Sequence, residues 1–385
     1  MNASPDPTAA HQIEIADSIS RIPAADWDRL ANQHPLMSHA FLDGLHQSGS
    51  ACAESGWAPR YLLLREQDKL LAAMPLYLKS HSYGEYVFDW AWAEAYQRAG
   101  LDYYPKLLSA IPFSPVSGAR VLAGNGDEAD ARRHALLDAA LQFAQASGVS
   151  SFHCLFPNDA EAAHLQQRGL MMRGGVQFHW HNPGYASFDE FLGGMSHDKR
   201  KRIQQERRKV NGAGVSFRRL TGAAITENDW DFFHRCYVNT YHLHRSTPYL
   251  NRNFFEHIGT NMADQTLLVI AENDGEPLAA ALNFFGGDVM YGRYWGASRF
   301  VSGLHFETCY YQAIEFCIEH KITVLEGGAQ GEHKLARGFK PVATRSAHWL
   351  AKPEFATAVA RYLARETEGI DGYLDELNER QPFKS

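Results

Sequence analysis

The sequence predicts an α/β (α+β) fold made of two tandem copies of one unit, each a mixed, mostly antiparallel sheet flanked by helices. Three blocks recur in the same order in both halves of the 385-residue chain. The last block keeps an Arg-Gly pair and a His-Trp pair at matching places. A shared order of blocks is typical of a duplicated supersecondary unit. The blocks are 61–78 with 266–285, 142–156 with 315–328, and 168–180 with 337–349.

The repeated unit begins with a hairpin. In the second copy its turn is Asn-Asp-Gly at 273–275, where Gly accepts positive φ, and in the first copy the turn is Gln-Asp-Lys at 67–69. Strand-like, then helix-like apolar spacing follows the hairpin. The predicted order is strand, strand, strand, helix, strand, short helix, strand. In the second copy the elements after the hairpin are 289–298, 303–322, 324–328, a short helix and 345–351.

Composition is that of an ordinary globular protein, with 45% hydrophobic and 21% charged residues and a net charge of −7. No segment approaches the roughly 20 apolar residues that span a bilayer. The start of the chain lacks the basic and apolar parts of a signal peptide. The five cysteines are odd in number and have no paired metal-ligand spacing. We therefore expect a cytoplasmic protein with reduced thiols.

The pattern divides the chain into consecutive segments, which we interpret as domains. Residues 81–130 insert between the hairpin and the helix of the first copy and are rich in Tyr, Trp and Phe. They predict either an extension of the core or an aromatic-walled pocket for an acceptor substrate. The segments are a tail at 1–12, a first domain at 13–180, a second domain at 181–352, and a C-terminal helical segment at 353–385.

A basic helix is predicted over 196–212. Seven basic residues stand against two acidic ones between 198 and 210, Ser196 is a good N-cap, and Asn-Gly at 211–212 is a good stop. Such a helix is either a solvated connector between the domains or an anion site for a phosphate-bearing ligand.

Four stretches resemble a known family: 111–122, 151–159, 196–210 and 325–350. In the last, the strand ends in Gly327 and Gly328, and Phe339-Lys340 follows. The order of elements resembles the Gcn5-related N-acetyltransferase (GNAT) fold, here in tandem as in Fem-type aminoacyltransferases. The chain is similar to bacterial N-acyltransferases of the peptidoglycan biosynthesis/recognition group. The resemblance implies acyl or aminoacyl transfer to an amine, with Lys199, Arg200 and Arg202 as phosphate ligands.

The resemblance leaves two donors open. The coenzyme A signature of the fold, Arg/Gln-x-x-Gly-x-Gly/Ala, is poorly matched by Arg293 to Ser298 and by Arg299 to Gly303. Fem-type enzymes also lack it because their donor is aminoacyl-tRNA. That donor needs an extended basic face, of which a −7 chain with one basic helix offers little. We therefore favour acyl-CoA as a co-substrate, with no tightly bound cofactor, and keep aminoacyl-tRNA as the alternative.

Candidate catalytic residues follow the strand end at 324–328. Glu326, Glu332 and His333 are candidate bases for the acceptor amine, and desolvation at a buried strand end raises a glutamate pKa toward neutrality. Lys340 is a candidate partner of the oxyanion. The aligned positions of the first copy carry neither an acid nor a lysine, which favours the second copy as the catalytic half. The alternative roles are a helix cap for His333 and a surface position for Lys340.

A third cluster holds Tyr241, His244 and Arg245, which we expect to contact a substrate carboxylate or phosphate. His242 and His244 are two residues apart, and no Cys, Asp or third His completes a zinc set nearby, so no metal site is predicted. The expected acceptor is a small-molecule or lipid-linked amine, reached without DNA or a transmembrane segment, while transient contact with a membrane surface stays open. A non-catalytic recognition module is the competing class.

Overall fold

The computed structural model describes residues 11–328, 331–380 and 382–383, apart from the side chain of residue 371. Its strands fall into two sets that follow the two halves of the chain. The first set is β1 (Gln12–Ala16), β2 (Trp57–Pro59), β3 (Tyr61–Glu66), β4 (Lys69–Met74), β5 (Tyr77–Lys79), β6 (Lys106–Ser109), β7 (Ser151–Leu155) and β8 (Met171–His181). The second is β9 (Val215–Thr221), β10 (Thr266–Asn273), β11 (Glu276–Gly286), β12 (Val289–Ala297), β13 (Val324–Glu326) and β14 (Lys340–Leu350).

The helices cover both faces of the strands, and five 3₁₀ turns and one π turn join them. The α-helices are α1 (Ala24–Ala31), α2 (His39–Gln47), α3 (Trp90–Arg98), α4 (Ala129–Ala146), α5 (Asp159–Gln167), α6 (Phe188–Gly193), α7 (His197–Gly212), α8 (Glu227–Leu243), α9 (Arg252–Asn261), α10 (Leu304–Phe306), α11 (Gln312–Glu319) and α12 (Pro353–Glu379). The other turns are Ile19–Arg21, Pro35–Met37, Gly222–Ala224, Ala263–Gln265, Glu332–Arg337 and the π turn Glu307–Tyr311.

One sheet of eleven strands dominates, in the order β2-β5-β6-β7-β14-β8-β13-β12-β11-β10-β9. A second sheet has the order β1-β3-β4. One bent hairpin connects the two sheets: β2 and β3 form one arm, and β4 and β5 form the other. The register is the same on both sides of the bend, with Trp57 opposite Lys79 and Leu62 opposite Met74. The hairpin bends where Arg60 N donates to Leu76 O at 2.7 Å.

The duplication predicted from the sequence is confirmed by the strand order. In the first half the order is β1, then β2 and β3 as one bent strand, then β4 and β5 as another, then β6 and β7. In the second half β9, β10, β11, β12 and β13 take the corresponding five places. The last strand of each half is exchanged: β14 pairs with β7, and β8 pairs with β13. The strand starts Met171 and Lys340 are 169 residues apart, and so are Gly175 and Thr344. Gly175 and Thr344 are therefore equivalent residues of the two copies, and they lie opposite each other in the β8–β14 pair. A local two-fold axis therefore passes through this pair.

The segment 81–130 contains both α3 and β6. Because β6 stands between β5 and β7 as β12 stands between β11 and β13, the third strand of the unit is present in both halves. The additional parts of the first half are the chain around α3 and the loop that follows β6. Of the aromatic residues in this segment, Trp92, Tyr96 and Tyr103 are buried in a small cluster with Leu363 of α12.

The basic helix forms as predicted, with Ile203 and Val210 as its buried residues. Arg207 fixes its position. The Arg207 guanidinium donates to both carboxylate oxygens of Glu307, at 3.0 and 3.1 Å, and to Glu315 at 2.7 Å. Since Glu307 is 2% exposed, this ion pair holds α7 against the helical run 304–319.

The C-terminal segment packs on the exchanged strands. Arg173 of β8 forms a bidentate pair with Glu366 of α12, with both distances 2.8 Å. Bidentate arginine–carboxylate pairs are the geometrically specific kind of ion pair. Beyond α12, Ser196 N donates to Pro382 O at 2.9 Å, so the end of the chain reaches the start of α7.

Candidate active site

A gap opens between the parallel strands β12 and β13. Their register runs only from Val289 opposite Val324 to Tyr291 opposite Glu326, after which β13 ends and β12 continues to Ala297. A cavity of about 120 Å³ occupies the space between them. We call it the strand gap; Gly327, Gly328, His305, Cys309 and Tyr310 line it.

A β-bulge lies at the edge of the strand gap. On β11, Asn283 faces Gly292 while the preceding Leu282 faces Tyr294, so Arg293 is an extra residue in β12. The extra residue of a bulge is left out of the ladder, and bulges often lie beside active sites. The main chain at Arg293 can therefore present an N–H to a ligand oxygen in the strand gap.

Glu326 ends β13 beside the strand gap and is 9% exposed. Burial raises its pKa to about 8, against the opposing charges of Arg293 and Arg120. Its cross-strand neighbour is His179, whose Nε2 lies 4.0 Å from the Glu326 carboxylate. Burial lowers the pKa of His179 to about 4, so the imidazole is neutral at pH 7. A carboxyl that titrates near neutrality beside a neutral imidazole is suited to accept a proton.

The first half supplies one wall of this site. Arg293 donates to Phe113 O at 2.8 Å, and Gln177 Nε2 donates to Pro115 O at 2.5 Å. Arg120 is 1% exposed and donates to Phe156 O at 3.0 Å. The loop after β6 therefore packs directly over the residues around Glu326.

An anion cavity of about 440 Å³ lies next to the strand gap, between α7 and the start of the helical run 304–319. Unpaired backbone N–H groups at the start of a helix favour anions. Glu206 also lines the cavity, but its carboxylate accepts from Arg337 at 2.8 Å and from Tyr311 at 2.6 Å. Arg202 also lines the cavity and donates to Glu206 through Nε at 3.3 Å, which leaves its terminal nitrogens, with Gln205, Lys209, Ser302 and Gly303, to contact an anion.

Two further cavities meet at Tyr86. The aromatic cavity, about 410 Å³, is lined by Tyr86, Tyr237, Tyr241, Tyr249, Tyr294 and Trp295, with Thr240, His244, Ser246 and Arg293 completing its wall. The polar cavity, about 190 Å³, lies over the paired strands β8 and β14, and its polar residues are Arg173, Gln177, Thr344, Arg345, Ser346 and Glu366.

Comparison with known proteins identifies the family. The sequence matches the FemAB-like family, described as peptidoglycan biosynthesis/recognition, over residues 18–385. The chain belongs to the FemAB-like family. This confirms the resemblance drawn from the sequence. No curated protein matches the chain significantly.

Solved structures share the fold of this FemAB-like chain. FemX aligns with a TM-score of 0.55 at 12% identity, covering 90% of this chain and 100% of FemX. A protein described as the C-terminal domain of a lysylphosphatidylglycerol synthetase from Agrobacterium fabrum aligns with a TM-score of 0.54 at 10% identity, covering 89% and 96%. Identities this low establish the fold alone. Within the described residues, no helix combines the length and apolar character that a bilayer span requires.

The structure separates the predicted catalytic residues of the FemAB-like chain. Glu326 lies beside the strand gap, which Gly327 and Gly328 line. Glu332 is instead half exposed, and its carboxylate accepts from Tyr373 at 2.7 Å and from Arg380 at 3.2 Å. These bonds to the C-terminal segment hold it away from Glu326. The placement does not support Glu332 as the base.

His333 and Lys340 also differ from expectation. His333 Nε2 is bonded to Tyr310 OH at 3.0 Å, which suits a positioning role for the Tyr310 ring at the strand gap. Lys340 is exposed, and its Nζ lies 5.9 Å above the Phe383 ring. Its backbone pairs with His179, so it lies two strands from Glu326, about 9 to 10 Å in backbone spacing. The oxyanion role expected for Lys340 is not supported by this position.

The predicted binding residues divide in the same way. Arg202 lines the anion cavity, whereas Lys199 and Arg200 do not. Tyr241 and His244 line the aromatic cavity. Arg245 lines a neighbouring cavity of about 460 Å³ that also contains Tyr83 and His81.

Sequence reasoning missed Lys334, Arg293 and His179 as site residues. Lys334 is 2% exposed, donates to Gly328 O at 3.0 Å, and has its pKa lowered to about 8 by burial. It directly follows His333, but its burial has no signature in the local sequence. His179 could have been found, since it stands in the repeated block, although conservation in both copies favoured a packing role. The bulge at Arg293 has no sequence signal that we recognise.

Proposed function

We propose that this FemAB-like protein is an N-acyltransferase that moves an acyl group from acyl-coenzyme A to the amine of a polar acceptor. The strand gap beside the bulge at Arg293 carries the proposal. The cavity offers a main-chain N–H and two glycines that let a ligand approach the backbone, and the buried carboxyl of Glu326 directly precedes these glycines in the chain. This combination is suited to a tetrahedral intermediate at a carbonyl carbon.

The donor would extend from the anion cavity into the strand gap. Gly303 and Phe306 line the anion cavity, while His305 and Cys309 line the strand gap, so successive turns of one helical run face the two spaces. Phosphates at Arg202 and Lys209 would leave the thioester end of the donor in the strand gap. The aligned backbone N–H groups at the start of the run add to the attraction for phosphate.

The chemistry requires a neutral amine. The amine nitrogen attacks the thioester carbon, the C–N bond forms, and the oxyanion is stabilised by the main chain at the bulge. Glu326 accepts the amine proton through a bridging water, and the neutral His179 beside it, 4.0 Å away, donates no hydrogen bond that would compete for the carboxylate. The C–S bond then breaks, the proton that the amine lost is returned to the sulfur, and the thiol and the amide product are released.

The acceptor would enter through the polar cavity. Gln177 lines this cavity, and its Oε1 lies 3.3 Å from His179 Nε2. An amine held there lies beside Gln177, which accepts from His179, the cross-strand neighbour of Glu326. The family description, peptidoglycan biosynthesis/recognition, supports a cell-envelope precursor as the class of acceptor.

Isothermal titration with coenzyme A tests the donor site. In the variant Arg202→Glu/Lys209→Glu, both changed residues line the anion cavity, and we expect affinity to fall about 10-fold or more with a flatter salt dependence. The control Lys201→Glu/Arg208→Glu reverses the same charge on exposed positions of α7 that do not line the cavity. It should bind nearly as the unmodified protein does.

Equal losses in the two variants would show a diffuse charge effect and contradict the anion cavity as the phosphate site. If unmodified protein ignores coenzyme A and instead binds aminoacyl-tRNA, the donor is the Fem-type one and the acyl-coenzyme A proposal is wrong.

A further inference from the structure

We propose that the aromatic cavity holds the hydrocarbon chain of the donor, so that the protein transfers a medium-chain acyl group of about eight carbons in preference to acetyl. The inference rests on the proposed acyl-coenzyme A donor and places the acyl chain beyond its carbonyl in the aromatic cavity. Three observations support it: the continuity of two cavities, the chemistry of their walls, and the position of the polar cavity.

The aromatic cavity continues from the strand gap. Arg293, Tyr294 and Trp295 line both spaces. These residues include the bulge, where the thioester carbonyl would lie. β12 therefore borders both spaces, and an acyl chain that leaves the carbonyl on the side away from the phosphates would reach the aromatic cavity by passing this strand where it separates from β13.

The walls of the aromatic cavity are apolar where a ligand would touch them. Six of its ten lining residues are aromatic. Several polar atoms are already used: Tyr237 OH accepts from Leu250 N at 3.2 Å, and Thr240 Oγ1 donates to Trp295 O at 2.9 Å. Burial raises the pKa of Tyr237 and Tyr241 far above neutrality, so both phenols are uncharged. Ring faces that are uncharged and out of water favour a hydrocarbon chain.

The acceptor has a better place on the other side of Tyr86. Gln177 lines the polar cavity and accepts from His179, the cross-strand neighbour of Glu326, so an amine in this cavity lies on the side of the proposed base. The aromatic cavity contains no carboxylate to bind an ammonium group. An acetyl group would also leave most of the 410 Å³ unfilled. The aromatic cavity therefore fits the acyl chain and the polar cavity fits the amine.

Isothermal titration with coenzyme A, acetyl-CoA and octanoyl-CoA tests the assignment. We expect octanoyl-CoA to bind at least about 10-fold more tightly than acetyl-CoA, a difference that burying two methylenes already provides. The variant Ser246→Trp places a large side chain in the aromatic cavity and should remove this preference while coenzyme A itself still binds. Ser246→Leu fills less space and should reduce the preference in part.

Thr247→Trp is the matched control. Thr247 is adjacent and exposed, and it lines the neighbouring cavity but not the aromatic one. This variant should keep the preference for octanoyl-CoA.

The outcomes separate the inference from the proposed function. Equal affinity for acetyl-CoA and octanoyl-CoA in unmodified protein, with coenzyme A bound, overturns the inference and leaves the donor intact. A preference that survives in both Ser246 variants places the chain elsewhere and also overturns it. A protein that binds none of the three thiols and thioesters contradicts the proposed donor, and the inference falls with it.

Discussion

The two halves of the molecule use the same pair of parallel strands in opposite ways. In the second half, β12 and β13 separate around an open strand gap. In the first half, β6 and β7 are parallel from Leu107 opposite Phe152 to Ser109 opposite Cys154, and the loop 110–118 then fills the equivalent space. That loop buries Phe113 at 2% exposure and rejoins β7 where Gly118 pairs with Pro157. The space between the parallel strands is therefore filled in the first copy and open in the second.

The polar residues at these equivalent places also differ. His179 faces Glu326 in the second half, and His348, its counterpart 169 residues later, faces His153. By the strand register, His153 is therefore the counterpart of Glu326 in the first half. His153 and His348 share a 2.7 Å hydrogen bond and are enclosed by the buried pair Lys106–Asp89. The pair in the first half is closed to ligands, while Glu326 borders an open space.

Truncating Phe113, which packs in the filled space of the first half, should have the largest effect, a loss of stability. Phe113 stacks on Tyr249 at 4.9 Å and meets Trp57 edge-on at 5.2 Å. We expect Phe113→Ala to lower the free energy of unfolding by about 3–5 kcal/mol in urea denaturation. Coenzyme A affinity should not change, because this gap is not the donor site. Phe300→Ala is the control: Phe300 is 93% exposed, and its loss should cost less than about 0.5 kcal/mol. A variant that stayed stable would contradict the packing role of Phe113, and one that bound coenzyme A differently would show that this packing also supports the donor site.

Removing Glu326, the proposed base in the second half, should have the next largest effect. We expect Glu326→Gln to lower kcat about 100-fold, as loss of a general base does. The pKa of Glu326 is raised to about 8, so the carboxylate fraction increases as pH rises through 8. The rate of thiol release by unmodified protein should rise over the same range, and this rise should disappear in the variant. Glu332→Gln, an exposed control, should leave both rate and pH profile nearly unchanged. An unaltered pH profile in Glu326→Gln would rule out this residue as the base.

The smallest expected effects are those on kcat/KM of replacing Lys334 and Lys340. Lys334 holds Gly328 O at the strand gap, and a hydrogen bond from a charged donor contributes enough for Lys334→Met to lower kcat/KM about 10-fold. Lys340→Met should lower it less than about 3-fold, because its exposed amine forms no contact with the strand gap. Loss of an oxyanion partner, the role that the sequence predicts for Lys340, would instead cost about 100-fold. A larger effect at Lys340 than at Lys334 would restore that prediction and reject the present placement.

The sequence was most informative where the two copies could be compared. The blocks around His179 and His348 predicted the duplication because equivalent strands keep their landmarks. The basic helix was predicted from its cap and its charges, which are local signals. Lys334 and Arg120 could not be found, because their burial depends on chain segments far away in sequence. The exchange of β8 and β14 also has no local signal, since a strand carries the same pattern whichever sheet it joins.

The exchange of β8 and β14 has a consequence for how the chain is made. β7 pairs with β14, so His153 can bond to His348, 195 residues later, only after β14 has been synthesised. During synthesis the first half therefore leaves the ribosome with an unpaired strand edge, and contacts so distant in sequence form slowly. A fragment ending near residue 181 would expose β7 and β8 together and is expected to aggregate rather than fold. Although the two halves repeat one strand order, each needs the last strand of the other to complete its sheet.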